Sequence, residues 1–297
     1  QINIADSNLN ADGNTQGGGI NIQGAGPTNA ADVLGQNHPL NNPLAPPTGP
    51  SSIAITGATT ITTRSRYGNA GNVTVTGDDI SLNDTTRIDA AGSTQGGQVL
   101  IGGDWQGSNG VYQATTVTMQ HGVVIDASAT DTGNGGKVVL WSDVTNPNGW
   151  TKAYGTIYAR GGANGGDGGQ IETSGHKVDT VGISISARAY RGKGGLWLLD
   201  PYDYTIGYDY VTGVDTVTPI VNSLNNGTSV TIDTTYSRSG SIDAQIDASG
   251  VGPGDIFVTS SINITPVNDV TLTLKANRSV VVNADITCMP YTPVTPG

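Results

Sequence analysis

The segment GGDGGQIETSGHKVD (Gly165–Asp179) places a carboxylate, Glu172, and an imidazole, His176, directly after a stretch with four glycines in five residues. Glycine-rich backbone beside ionisable side chains occurs in phosphate-binding loops, in metal sites and next to general acids and bases. Glycine is also the usual residue at the corner of a structural repeat, because it adopts backbone conformations that other residues avoid. The choice between a site and a corner decides which function the sequence supports.

The phosphate and metal interpretations lack their accompanying residues. Gly136 and Lys137 are followed by Val138 rather than by Ser or Thr, and no helix is predicted after them. Calcium-binding nonapeptide repeats need tandem Gly-Gly-x-Gly-x-Asp units, whereas Gly165–Gly169 is a single imperfect copy. The histidines are far apart in sequence and are predicted to be solvated surface imidazoles: His38, His121 and His176. The prediction is therefore no cofactor and no metal.

Fragments of one carbohydrate-enzyme pattern are present. Gly77–Asp79 and His121–Gly122 resemble pieces of the polygalacturonase motif, but its Asn-Thr-Asp and Arg-Ile-Lys elements are missing. A polysaccharide lyase would need a cation and a base beside clustered carboxylates, and the 13 Lys and Arg residues are scattered. We therefore predict no catalytic residues and no enzyme activity. The alternative that stays open is a β-helix carbohydrate-active enzyme, a polysaccharide lyase or a glycosidase.

The composition indicates short strands and tight turns. Charged residues make up only 12% of the chain, and 44 of the 297 residues are glycine. Glu172 is the one glutamate among 24 acidic residues, and Asp favours turns where Glu favours helices. The net charge of −11 argues against nucleic acid and anionic membrane partners, and no apolar run is long enough for membrane insertion. An all-β fold is expected.

A repeated unit organises the middle of the chain. Each copy reads Ile-x-Ala, a variable polar segment, Gly-Gly and an alternating apolar run, which is typical of strands with one buried face. Such units can stack as a parallel β-helix, and about 20 residues per coil would give about 14 coils and a rod near 70 Å. The anchoring isoleucines are Ile88, Ile125, Ile157 and Ile185, and the second glycines are Gly97, Gly136, Gly169 and Gly195.

Proline content sets the predicted boundaries. Residues 1–36 are predicted to form β-helix coils, 37–51 a Pro-rich loop outside the helix, 52–287 further coils with Gly-Gly units, and 288–297 a Pro-rich tail. The chain opens with Gln1 rather than Met, which favours a segment of a longer protein.

Three phrases in order carry a family resemblance: IDASATDTGNGGKVVLWSD, ARGGANGGDGGQIETSGHKVD and GGLWLLDPYDYTI. Across Arg87 to Ile206 the chain resembles the filamentous-haemagglutinin-like exoproteins of bacterial two-partner secretion, including the high-molecular-weight adhesin group. The resemblance implies a right-handed parallel β-helix, an outer-membrane secretion partner, an extracellular or cell-surface location, and a role in adhesion, aggregation or biofilm. The Asn-Pro-Asn-Gly sequence at Asn146–Gly149 is interpreted as a turn, and the chain as a passenger segment.

Some side chains are candidates for contacts with partners. Trp197, Tyr202 and Tyr204 could stack on surface glycans, although their alternation favours packing against the rod. Cys288, the single cysteine, could form an intermolecular disulfide. Asn-x-Ser/Thr sequons make N-glycosylation a hypothesis at Asn72, Asn83, Asn226, Asn263 and Asn277. The expected partners are further copies of the chain, joined end to end through open strand edges, and host or bacterial surface glycans or proteins.

Overall fold

The structure, a computed structural model, describes residues 1–24, 50–208, 214–235 and 254–289. Within these ranges the chain forms 25 short β-strands and one α-helix, arranged as successive coils that each contribute strands to the same faces. No helix among the described residues is long and apolar enough to cross a membrane.

The described residues form nine successive coils, the ninth with two strands. Coils one to three contain β1 (Ile2–Ala5), β2 (Asn8–Asn10), β3 (Gly19–Gln23); β4 (Ser52–Thr56), β5 (Thr60–Thr62), β6 (Asn72–Thr76); and β7 (Asp79–Leu82), β8 (Arg87–Asp89), β9 (Gln98–Ile101). Coils four to six contain β10 (Thr116–Met119), β11 (Val124–Asp126), β12 (Lys137–Trp141); β13 (Trp150–Ala153), β14 (Thr156–Tyr158), β15 (Gln170–Ser174); and β16 (Lys177–Asp179), β17 (Ser184–Ser186), β18 (Leu196–Asp200). Coils seven to nine contain β19 (Tyr204–Ile206), α1 (Val217–Asn225), β20 (Ser229–Asp233); β21 (Asp255–Val258), β22 (Ile262–Ile264), β23 (Leu272–Lys275); and β24 (Ser279–Val282), β25 (Ile286–Cys288).

All of the strand pairings between these coils are parallel, so the fold is the predicted parallel β-helix. The first face contains β1-β4-β7-β10-β13-β16, the second β2-β5-β8-β11-β14-β17, and the third β3-β6-β9-β12-β15-β18-β20-β23. The anchoring isoleucines pair with one another on the second face, where Ile88 is the partner of Ile125 and Ile157 that of Ile185. Their side chains are buried in one continuous core inside the coils.

The described coils are longer than the predicted 20 residues. Ile88 and its partner Ile125 are 37 residues apart, and Ile61 and its partner Ile88 are 27 residues apart. The difference lies in the corner loops, such as residues 102–115 between β9 and β10. Nine described coils at strand spacing make a rod about 40 Å long.

The Gly-Gly pair is explained by contacts between coils. The second glycine of each pair donates its N–H to the alanine carbonyl of the same unit, as Gly136 does to Ala127 at 2.7 Å. The first glycine of the previous coil, Gly96, lies so close to that same carbonyl that an added Cβ would be 1.9 Å from its oxygen. A Cβ on Gly136 would be 1.9 Å from the Gly97 carbonyl oxygen. Any side chain at these corners would therefore force the coils apart.

Helix α1 was not predicted and takes the place of a second-face strand in coil seven. Ile220 and Leu224 pack into the core, and the Asp215 carboxylate accepts hydrogen bonds from the first backbone N–H groups of the helix, Val217 and Thr218. The first face is also divided here, because β19 pairs with β21 and not with β16. Of the strands that the structure describes, those of the third face continue through coil seven, with β20 paired to both β18 and β23.

Side chains near the end of α1 replace the missing strand bonds. Asn226 donates its Nδ2–H to the carbonyl of Ile185 at 2.7 Å, and Thr228 Oγ1 accepts the N–H of Ala187 at 2.9 Å. On the opposite side, Asn225 Oδ1 accepts the N–H of Thr265 at 2.6 Å. Three backbone groups at or beside the edges of β17 and β22 are thus hydrogen-bonded without a strand between them.

We expect Asn226→Ala to lower the free energy of unfolding by about 1–3 kcal/mol, since the Ile185 carbonyl would lose its donor at the edge of β17. The control is Asn222→Ala on the exposed side of α1, which should change stability by less than about 0.5 kcal/mol. Urea unfolding measures both. Equal effects of the two substitutions would contradict the strand-replacing role.

The boundary predictions fall partly outside the described residues. Loop residues 37–49 and tail residues 290–297 are among those the structure does not describe, so these domain assignments stay predictions. The first strand after the loop begins at Ser52, and β25 ends at Cys288.

Candidate functional site: a polar groove along the glycine corner

A groove of about 600 Å³ runs parallel to the rod axis, at the corner between the second and third faces. Its floor is the backbone of the Gly-Gly pairs, which carry no side chains to fill it. We call it the glycine groove. Two rows of polar side chains flank the floor: Gln16, Asn69, Gln95, Asn134 and Asp167 form the corner wall, and Asn72, Gln98, Lys137 and Gln170 form the strand wall.

The corner wall is tied to the rod by its own hydrogen bonds. Gln16 and Gln95 donate their side-chain Nε2–H groups to backbone carbonyls of the next coil, Ala70 at 3.3 Å and Gly135 at 3.4 Å. Asn134 Oδ1 accepts the N–H of Asp167 at 2.8 Å. These bonds join each coil to the next, so the wall is fixed by the fold.

The strand wall presents unused hydrogen-bonding groups. Its members are first residues of adjacent strands and stand in register, as Gln98 with Lys137 and Lys137 with Gln170. Within the described part of the chain, the amides of Asn72, Gln98 and Gln170 make no side-chain hydrogen bond. Lys137 Nζ is 3.0 Å from Asp104 Oδ1 and is thereby engaged. The wall therefore offers neutral donors and acceptors to solvent.

Glu172, from the segment that first suggested chemistry, anchors a loop. It lies on the outer side of β15, fully buried, and accepts hydrogen bonds from the Gln106 N–H at 2.9 Å and from Ser174 Oγ at 2.8 Å. Gln106 belongs to a single 3-10 turn, Trp105–Gly107, in the loop that covers this part of the sheet. Burial raises the pKa of Glu172 to about 8, despite both hydrogen bonds.

Asp200, a buried carboxyl near Glu172, was not among the residues predicted from the sequence. It ends β18, is 0% exposed, and neither carboxyl oxygen has a hydrogen-bond partner. Burial raises its pKa to about 8, with further contributions from the charges of Glu172 and Asp233. Burial alone would also raise the pKa of Asp233, but hydrogen bonds from Lys275 and Thr235 hold it below the usual range. The sequence does carry a signal for these buried acids. Three successive strands of the third face end in a segment with an acidic residue: ETS at 172–174, LLD at 198–200 and TID at 231–233.

The fragments that resemble a polygalacturonase motif do not meet. Asp79 is the first residue of β7 and pairs with the first residue of β10, whereas His121 follows the last residue of β10, roughly 15 Å away along the strand direction. Asp78 is occupied by hydrogen bonds from Ser51 and Tyr112. Among the described residues, no group of three or more His, Cys, Asp or Glu side chains is placed to hold a metal ion.

The aromatic candidates are mostly interior. Trp197 is fully buried and donates its Nε1–H to Thr173 Oγ1 at 3.0 Å, and Tyr204 is 5% exposed. The glycan-stacking interpretation is therefore wrong for these two residues, because neither ring has a face in solvent. Tyr202 is half-buried and stacks on His176 at 4.4 Å between ring centroids, so His176 is not the solvated imidazole that was expected. Stacking on a glycan by Tyr202 stays a prediction.

The sequon asparagines differ in their surroundings. Asn72, Asn263 and Asn277 are exposed, whereas Asn83 is half-buried and donates to Ser81 Oγ at 3.2 Å. The amide of Asn226 is committed to the Ile185 carbonyl. Glycosylation stays a prediction, and at Asn72 it would place a sugar in the glycine groove. The predicted disulfide of Cys288 is likewise untested, although the thiol is free and exposed.

The Asn-Pro-Asn-Gly sequence forms a turn, closed by a hydrogen bond from the Gly149 N–H to the Asn146 carbonyl at 2.7 Å. A scan against models of known families gives no match, and a search of curated proteins gives none either. Among solved structures the chain is similar to the crystal structure of the HMW1 secretion domain from Haemophilus influenzae, with 20% identity and a TM-score of 0.41. The match covers 67% of this chain and 49% of that one, so the chain spans about half the length of that structure.

Proposed function

We propose that this chain is a non-enzymatic segment of an extracellular bacterial adhesive protein of the filamentous-haemagglutinin-like class. The observation that carries the proposal is the glycine groove, a polar surface repeated from coil to coil on a rigid rod. A repeated surface of weak hydrogen-bonding sites suits attachment, because many simultaneous contacts multiply a low affinity. The motif order between Arg87 and Ile206 supports the same class.

The placement of the acidic groups favours adhesion over catalysis. Glu172 and Asp200 have raised pKa values of the kind found in general acids, yet both are fully buried under covering structure. A general acid must come within hydrogen-bond reach of its substrate. We therefore propose no catalytic role for either carboxyl.

The stacking order also suits export through an outer-membrane partner. Each described coil pairs with the coil before it on at least one face, so a chain that emerges from its amino-terminal end can fold coil by coil. The single cysteine means that no internal disulfide has to form on the way. Surface location and the secretion partner are parts of the same proposal.

The test is attachment of beads coated with residues 1–297 to host epithelial cells and to bacterial cells. We expect saturable attachment that the soluble chain competes away, while beads coated with heat-unfolded chain do not attach. Release of oligosaccharides from acidic or neutral polysaccharides by the same preparation would contradict the proposal and favour an enzyme. Electron micrographs of the preparation test end-to-end assembly, with periodic fibres supporting a homopolymer and isolated rods opposing it.

A further inference from the structure

We propose that the glycine groove binds a neutral linear polysaccharide, whose sugar units follow the coils one by one. The assignment rests on the proposed adhesive function and names its ligand class. It is carried by the two polar walls, the open glycine floor and the repeat of both along the rod axis.

The free groups of the strand wall match sugar hydroxyls. A side-chain amide both donates and accepts hydrogen bonds, as a hydroxyl does. The amides of Asn72, Gln98 and Gln170 are partly or fully exposed, and in the described structure no protein group uses them. A glycan in the groove would therefore gain hydrogen bonds without breaking any in the protein.

The spacing distinguishes a glycan from a peptide. Neighbouring coils are about 4.8 Å apart, so the polar residues of the strand wall repeat at that interval, with amides on three of the four coils and Lys137 on the other. Each ring of an extended β-linked polysaccharide advances by nearly one coil spacing, and successive rings face opposite ways, so rings of one orientation meet every second coil. An extended peptide rises about 3.3 Å per residue and returns a side chain to the same side every two residues, about 6.7 Å, so it falls out of step within two coils.

The charges favour a neutral ligand. The one cation of the strand wall, Lys137, is paired with Asp104 at 3.0 Å, and the chain carries a net charge of −11. Uronic acids or sulfated sugars would meet an unfavourable field with no free cation in the groove. The described residues that line it also include no aromatic ring, so affinity has to come from many hydrogen bonds along a chain.

The experiment titrates the full chain, residues 1–297, with cellohexaose, mannohexaose and chitohexaose, with the corresponding disaccharides, with hexagalacturonate and with a threonine-rich decapeptide. We expect at least one neutral hexaose to bind, and to bind at least about tenfold more tightly than its disaccharide, because it reaches several coils. Absence of binding by all three neutral hexaoses overturns the proposal. Tighter binding of hexagalacturonate or of the decapeptide overturns it as well.

Variants locate the binding. Gln98→Ala/Gln170→Ala removes two free amides of the strand wall and should weaken hexaose binding about tenfold or more. Gln120→Ala, an exposed glutamine outside the groove, is the matched control and should bind as the unaltered chain does. Equal affinity of the double variant and the control for the hexaose rejects the groove as the binding site. Bead attachment to cells is measured separately: intact attachment without glycan binding rejects this assignment alone, and lost attachment rejects the adhesive function.

Discussion

Replacing Gly169 by alanine is expected to lower the free energy of unfolding by about 3 kcal/mol or more. The new Cβ would lie 2.0 Å from the carbonyl oxygen of Gly136, which is backbone of the coil below and cannot turn away. Leu196 on the next coil donates its N–H to the Gly169 carbonyl, so a shift at this corner spreads in both directions. At this chain length the loss corresponds to a melting temperature lower by about 5 °C.

The matched control lies in the same glycine-rich segment. A Cβ on Gly165 meets nothing within 4 Å, so Gly165→Ala should be neutral or stabilising by less than about 1 kcal/mol through the unfolded chain. Thermal and urea unfolding of the two variants measure the difference. Similar stabilities of the two variants would show that the stacking of the coils does not require glycine at position 169.

The rod is expected to lose stability as the pH rises from 5 to 8. Glu172 and Asp200 have folded-state pKa values near 8, whereas carboxyls of an unfolded chain titrate near 4. Between pH 4 and pH 8 the folded state binds protons that the unfolded state has released. The contribution of the two carboxyls to the free energy of unfolding is therefore fully present near pH 4, and it falls by up to about 1.4 kcal/mol per pH unit for each proton as the pH rises. The lowered pKa values of Asp104, Asp233 and Asp255 act oppositely, but only below about pH 4. The maximum is therefore expected between about pH 4 and 5.

Urea unfolding at pH 5, 6, 7 and 8 measures this slope. Glu172→Gln preserves an acceptor for the Gln106 N–H and should flatten the slope while raising stability at pH 8. Asp269→Asn removes an exposed carboxyl and should leave the slope as it is. Stability that is constant or rises from pH 5 to 8 would mean that both buried acids are already ionised in the folded chain.

The coil pattern was predictable because each unit repeats the same short sequence elements. The Ile-x-Ala and Gly-Gly elements recur within every copy, and Ile88, Ile125 and their counterparts align however long the loop between them is. Coil length was not predictable in the same way, since it depends on loops whose ends meet only in the folded rod. The strand-end carboxyls Asp200 and Glu172 become neighbours through that same stacking.

Helix α1 escaped prediction for a physical reason. Its sequence VTPIVNSLN is short and carries a proline and four β-branched residues among its first five, which gives low intrinsic helix propensity. The helix forms because Ile220 and Leu224 find the core and because Asn226 satisfies the strand edge beside it. Its stability is supplied by contacts with other coils, which a local pattern does not contain.

The glycine groove could have been found from the sequence. Its walls are the residues immediately before and after each Gly-Gly pair, in QGGQ at Gln95–Gln98, NGGK at Asn134–Lys137 and DGGQ at Asp167–Gln170. A polar residue on both sides of the pair is a local and repeated signature. The sequence does not show that the glycines form the floor of a groove or that both flanking side chains point outward, because both facts depend on how the coils stack.

The interruption at coil seven bears on how the molecule comes apart. In a stacked array, unfolding spreads from coil to coil through the bonds that neighbours share, and it halts where those bonds are fewest. Among the described residues, two of the three faces have no strand ladder between coils six and seven, and the ladder between β18 and β20 is the one that crosses. We therefore expect the coils up to β18 and the coils from β19 onward to unfold as two cooperative blocks, joined by the β18–β20 ladder, by the core contacts of α1 and by the hydrogen bonds of Asn226 and Thr228. Strain applied along the rod is expected to open that junction before it opens either block.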